Sequence, residues 1–193
     1  QSHGALIRHT FNLTHLYIVK PDDVIFTSMP FFWVGGLITG LHAVIHHGAT
    51  LVTQPAFDAA EALALIERHR ATITLGWPQQ GKTLAEHPDF ANRDLTSVRR
   101  TSMPAMVPPD RRPTGADSLG MTELCGNHLG VDPYLPQPPT RAGTGGPSVE
   151  GLTHVVVDPE TGLPAPVGIS GEIWVRGYSL MQRLHKRERE NVG

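Results

Sequence analysis

The sequence predicts an α/β fold, a parallel sheet with helix crossovers followed by the start of a smaller antiparallel β subdomain. Three observations predict it. Apolar, partly β-branched runs alternate with helix-like segments over the first 75 residues. A helix-stop glycine, Gly48, and a helix-start aspartate, Asp58, fall between these runs. Near residue 150 the pattern changes to two strand-like runs joined by a turn-rich loop. That change divides the chain into residues 1–150, part of an α/β domain, and residues 151–193, the start of a β-rich subdomain.

Val24-Ile25-Phe26-Thr27-Ser28 reads as the first strand, because β-branched and aromatic side chains suit a pleated, buried surface. Gly35-Gly36 then marks a loop, and the mostly apolar residues 37–47 read as a helix that Gly48 terminates. Residues 49–53 give a second strand. Asp58 with Glu61 three residues later resembles a capping box for a helix over residues 59–70, whose Ala59, Ala62, Leu63 and Ile66 share one face. Ala71-Thr72-Ile73-Thr74-Leu75 completes a β-α-β-α-β alternation, which favours parallel pairing through crossovers. In such sheets ligands sit beyond the carboxyl ends of the strands, so residues 29–36 and 76–80 are the candidate site loops.

Residues 104–147 are rich in proline and glycine and show little periodicity. Beyond them, residues 153–157 and 172–176 read as antiparallel strands around Asp158-Pro159-Glu160-Thr161-Gly162.

Composition excludes several classes. Sixteen Lys and Arg against 18 Asp and Glu give a net charge of −2, which offers no positive field to hold a nucleic acid. The lone Cys125 cannot close an internal disulfide, and no apolar run reaches membrane-spanning length. A cytoplasmic location is the expectation. Gln1 is not an initiator methionine and residues 186–193 are a charged segment without a closing element, so the chain reads as an internal piece of a longer protein.

Most motifs have ordinary readings. Gly143-Thr144-Gly145-Gly146-Pro147-Ser148 fits neither GxxxxGK[ST] nor GxGxxG and reads as a flexible loop. His42 and His46 stand at i, i+4, but without a third ligand the pair belongs to a solvated helix end, and zinc is set aside. No GxSxG occurs, and Cys125 reads as buried filler. Gly120-Met121-Thr122-Glu123 gains meaning from its company: Met29-Pro30-Phe31-Phe32-Trp33-Val34-Gly35-Gly36-Leu37 upstream and Gly171-Glu172-Ile173-Trp174-Val175-Arg176-Gly177-Tyr178 downstream.

With these three blocks in this order, the chain resembles the adenylate-forming superfamily, and within it the acyl-CoA synthetase, or carboxylate–CoA ligase, branch. Ser2-His3-Gly4, residues 143–147 and Val157-Asp158-Pro159-Glu160-Thr161-Gly162 extend the resemblance over nearly the whole sequence. It implies formation of an acyl-adenylate from ATP and a carboxylic acid, followed by transfer of the acyl group to coenzyme A, with Mg²⁺ as the metal. By the match to the family's TE pair, Thr122 donates its hydroxyl to a phosphate oxygen and Glu123 holds the magnesium. Gly120 and Met121 pass along the nucleotide, and Ser102-Met103-Pro104 resembles the segment lining the adenine and acyl pocket. Trp33 replaces a common histidine beside the acyl cavity, with Gly35 next to it, and Trp77 walls the same cleft.

Departures weigh on activity. Leu119 replaces a common tyrosine, Arg183 a glycine and His185 a tyrosine, and the connection from Ala105 to Leu119 is short. The phosphate loop with its lysine belongs before Gln1, and the ribose-binding aspartate and lysine-bearing small domain after Gly193. The resemblance therefore implies that these 193 residues do not complete the reaction alone. The alternative is a catalytically silent remnant that binds a nucleotide, an acyl group or a protein partner. Sheet edges and apolar faces also raise homodimerisation as an expectation.

Overall fold

The computed structural model describes residues 1–113 and 118–188. Its centre is a four-stranded parallel sheet in the order β2-β1-β3-β4, with β1 Val24–Thr27, β2 Thr50–Thr53, β3 Ile73–Leu75 and β4 Arg100–Thr101. Phe26 lies opposite Val52 on one side and Thr74 on the other. Both faces of the sheet are covered, so Ile25, Phe26 and Thr27 of the central strand β1 are all buried, whichever way the pleat turns them.

One face carries Phe26, which packs with Leu63, Ile66, Leu84, Met103 and Met106. These come from α3 Ala59–Arg68, α4 Pro78–Ala85 and the turn Pro104–Met106 with Met103 just before it. The opposite face carries Ile25 and Ile73 against Ala43 and Val44 of α2 Ala43–His47. Full burial of a side chain such as Phe26 or Ile25 contributes about 1.5–3 kcal/mol. A polar pair inside the sheet is matched: the Thr74 hydroxyl donates to Thr101 Oγ1 at 2.8 Å.

Several predicted boundaries hold. Asp58 Oδ1 accepts from Glu61 N at 2.8 Å and starts α3. Gly48 ends α2 at φ 69°, in the left-handed region where only glycine is unstrained. The helix predicted over 37–47 begins earlier, at Gly35, as a π-helical segment Gly35–His42 that runs into α2. Gly36 accounts for the early start, since a Cβ there would overlap the Pro30 and Met29 carbonyl oxygens.

Two helices were not anticipated. α1 His3–Leu16 begins at Ser2, whose Oγ accepts from Ala5 N at 3.1 Å, and its buried face carries His9, Thr10 and Thr14 beside Leu13. Polar residues on the buried side hide the apolar period that sequence reading relies on. α4 follows Trp77 directly, with Pro78 at its first position and Gln80 Oε1 accepting from Trp77 N at 3.0 Å.

The proline-rich region also contains an unanticipated hairpin, β5 Leu119–Met121 with β6 Gly126–Leu129, closed by the tight turn Thr122–Leu124. Cys125 at φ 64° and Gly126 at φ 125° reverse the chain. The expected antiparallel pair is present as β7 Leu152–Val157 and β8 Glu172–Gly177. Asp158 Oδ1 caps its turn by accepting from Glu160 N at 2.8 Å. Part of the connection from Ala105 to Leu119 and the end of the charged segment 186–193 lie outside the described residues.

Candidate functional site

The strand order fixes where a ligand can sit. From β1 the chain leaves towards β2, and from β3 it leaves in the opposite direction towards β4. Beyond the carboxyl ends of β1 and β3 the connections diverge and open a crevice. A cleft of about 600 Å³ lies there. Ile25 of β1 with Met29 just beyond it, and Ile73 and Leu75 of β3 with Gly76 just beyond it, border the cleft.

Four of the sequence-predicted residues meet in this cleft: Trp33, Gly35, Trp77 and Ser102. The Trp33 and Trp77 ring centroids are 5.2 Å apart with 34° between planes, within the range where aromatic pairs attract. Trp33 stays 44% exposed, so its ring is a surface of the cleft rather than core filler. Ser102 ties the strand ends together: its Oγ donates to the Gly76 carbonyl at 2.6 Å and accepts from Gly76 N at 2.9 Å. Gln80 Nε2 donates to Ser28 Oγ at 3.1 Å, joining the two predicted site loops.

Met103 is placed elsewhere. Only 1% exposed, it belongs to the core, where its side chain lies against Gly76 and Gly81. It supports the cleft floor from behind. Pro104 opens the following turn and does not border the cleft.

Gly120, Met121, Thr122 and Glu123 lie together on the β5–β6 hairpin rather than on the cleft wall. Gly120 pairs with Asn127, which does border the cleft. The backbone of the turn is clamped. Gln1 Nε2 donates to the Thr122 and Glu123 carbonyls at 3.0 and 2.8 Å, and Met181 N donates to the Glu123 carbonyl at 2.7 Å. Thr122 is exposed and Glu123 half-buried.

These oxygen donors suit a hard cation such as Mg²⁺. Among the described residues no group of three His, Cys, Asp or Glu side chains could hold a metal ion. The Cys125 thiol is buried and donates to the Ser179 carbonyl at 3.5 Å; burial pushes its pKa up, which keeps it unreactive.

Several cleft residues escaped the sequence reading. Tyr17 Oη accepts from Asn127 Nδ2 at 2.6 Å, and Tyr134 Oη accepts from Thr101 N at 2.7 Å. Arg100 pairs in two-pronged fashion with Asp132, Nη1 to Oδ1 at 2.6 Å and Nη2 to Oδ2 at 2.7 Å. Burial pushes the Asp132 carboxyl up, but the hydrogen bonds from Arg100 and from Tyr134 N, together with the charges of Arg100 and Arg99, outweigh it and hold it below the usual range. The only available signal was Asp132-Pro133-Tyr134, a turn whose Asp132 Oδ1 accepts from Tyr134 N at 3.0 Å.

Comparison with known proteins agrees with this fold. The family profile described as AMP-binding enzyme matches residues 1–185. An indoleacetate–CoA ligase of Aromatoleum aromaticum is 31% identical over 188 residues, covering 93% of this chain and 36% of that protein. 4-Coumarate–CoA ligase 5 of Oryza sativa subsp. japonica is 30% identical over 182 residues, with coverages of 85% and 32%. The crystal structure of ATP-bound MatB from Rhodopseudomonas palustris superposes with a TM-score of 0.76 at 25% identity, covering 98% of this chain and 38% of that one. The chain thus spans about a third of the length of these curated relatives. No described helix is long and apolar enough to cross a membrane.

Proposed function

The chain belongs to the family of AMP-binding enzymes, and on that premise we propose that it carries the acyl cleft and the nucleotide-side turn of a carboxylate–CoA ligase. The observation that carries this reading is the switch-point cleft, with Trp33, Trp77 and Ser102 on its walls and Asn127 linking it to the Thr122–Glu123 turn. In the first half-reaction a carboxylate oxygen bonds to the α-phosphorus of ATP and the bond to pyrophosphate breaks. In the second, the thiol of coenzyme A takes the acyl carbon and AMP leaves.

The chain's own residues bind and orient. The apolar cleft receives the acyl group away from water, so that its carboxylate is held at the mouth. Thr122 donates its hydroxyl to a phosphate oxygen, and Gln1 and Met181 fix the backbone that aims it. Glu123 would hold Mg²⁺, which when bound neutralises charge on the phosphates. Gly120 lets β5 approach Asn127 closely enough to keep the hairpin beside the cleft.

Carboxylate-dependent exchange of pyrophosphate into ATP by the full-length gene product tests this reading. Exchange with at least one carboxylic acid is expected, and a folded protein that shows none would overturn it. A second reading, a module that binds nucleotide or acyl group without catalysis, is favoured by Leu119, an aliphatic side chain at the start of β5. Glu123→Ala separates them: loss of Mg²⁺-dependent nucleotide binding supports retained site chemistry, whereas absence of nucleotide binding in both proteins supports a silent remnant that takes an acyl group or a protein partner.

A further inference from the structure

We propose that the cleft selects an aromatic monocarboxylic acid, through the Trp33–Trp77 pair and the absence of any unpaired charge on its described walls. This rests on the ligase reading above for the fate of the acid, but not for its recognition.

Three observations converge. First, the two indoles border the cleft as a tilted pair 5.2 Å apart. That spacing leaves no room for a ring between them, so a planar ligand packs on the surface they share. Offset or edge contact with an indole attracts an aromatic ring beyond what area alone gives, and a saturated chain gains only the area. Secondly, Tyr17 and Tyr134 add two further rings to the lining, and the burial of both raises their pKa values, which keeps them neutral. Thirdly, the only charged side chain among the described lining residues is Arg100, and Asp132 occupies its guanidinium through two hydrogen bonds.

The third point excludes as well as selects. A dicarboxylic acid would bring its second carboxylate into the cleft without a free cation to meet it, and an unpaired buried charge is strongly unfavourable. An amine-bearing acid would likewise find no carboxylate among the described lining residues, and Asp132 behind Arg100 is already engaged. The volume of about 600 Å³ accommodates a one- or two-ring acid.

Calorimetric titration of the protein with 3-phenylpropenoate, octanoate and malonate, without ATP, tests the proposal. The aryl acid is expected to bind at least about tenfold more tightly than octanoate, with no heat from malonate. Trp33→Leu, at a surface position, and Trp77→Leu should each weaken aryl binding by roughly tenfold and leave octanoate nearly unchanged. Trp174→Phe, on β8, serves as the control and should change neither. Equal or tighter octanoate binding, malonate binding, no binding of any acid, or indifference to both cleft substitutions would overturn the proposal. Failure of the two readings is distinguishable: pyrophosphate exchange with octanoate alone keeps the ligase and removes the aromatic preference. Aryl binding without any exchange does the reverse.

Discussion

His128 Nδ1 lies 2.7 Å from His154 Nε2, with the two rings stacked at 5.0 Å and 16° between planes. One hydrogen occupies that contact, so both imidazoles cannot be protonated without two N–H groups facing each other. His154 Nδ1 also contacts Ser148 Oγ at 2.7 Å, and the arrangement fastens β6 to β7 across the glycine-rich loop.

A pH dependence follows from this pair. Burial lowers the pKa of His128, helped by the neighbouring His154, and burial lowers that of His154. Burial also lowers His9, which lies close enough to His128 to feel its charge, and His47. For a base whose folded pKa is depressed, the unfolded chain binds more protons, so stability falls as pH drops below the unfolded value near 6.5. Denaturation midpoints should therefore be flat above that pH and decline beneath it. His154→Gln should make the decline shallower. An unchanged slope in urea titrations from pH 7.5 to 5 would show that the pair does not set it.

Two glycine substitutions should act in opposite directions. At Gly81 in α4, an added Cβ would stand 2.7 Å from Met103 Cβ and 3.1 Å from its Cα, atoms anchored to backbone and unable to swing away. Overpacking costs about 1–3 kcal/mol, more than the roughly 1 kcal/mol that alanine gains in a helix, so Gly81→Ala should destabilise. At Gly4 in α1 nothing lies within 4 Å, so Gly4→Ala should stabilise by up to about 1 kcal/mol. Thermal denaturation of both variants checks the signs.

Gly120 couples the hairpin to the cleft. A Cβ there would overlap Asn127 Oδ1 and stand 3.0 Å from Asn127 N, so β5 must move away from β6. Gly120→Ala should keep the secondary structure seen by circular dichroism yet weaken Mg²⁺-ATP binding by roughly tenfold or more, because the Thr122–Glu123 turn shifts with β5. Undiminished nucleotide binding would separate that turn from the nucleotide.

The sequence made the parallel sheet legible because β1, β2 and β3 are apolar runs and Asp58 and Gly48 carry unambiguous end signals. It concealed α1, where His9, Thr10 and Thr14 occupy the buried face: the two threonine hydroxyls donate to carbonyls one helical turn back, and His9 Nε2 meets the distant Asn127 carbonyl at 3.0 Å, a contact no local pattern encodes. The site was half visible. Trp33, Gly35, Trp77 and Ser102 sit near strand ends, where topology directs attention, and they meet in the cleft. Met103 stands beside Ser102 in sequence but faces the other way, since successive residues leaving a strand point to opposite sides. Tyr17 follows α1 while Asn127 and Tyr134 come from a segment far along the chain, and only tertiary structure brings them to one cleft.

The Arg100–Asp132 pair supplies the sharpest test, because it links stability to selection. Both side chains are largely buried, at 14% and 3% exposure, so removing one charge strands the other. Asp132→Asn should cost about 3 kcal/mol. Since Arg100 holds the Asp132 carboxyl below its usual range, the wild-type contribution is present above the unfolded carboxyl pKa and is lost as pH falls through the folded one. That places it at lower pH than the histidine decline, and the variant should lack it. The freed guanidinium then borders the cleft as an unpaired cation, so Asp132→Asn should acquire measurable malonate binding while retaining affinity for the aryl acid. A variant that is destabilised yet still refuses malonate would mean that pairing with Asp132 is not what bars a second carboxylate from the cleft.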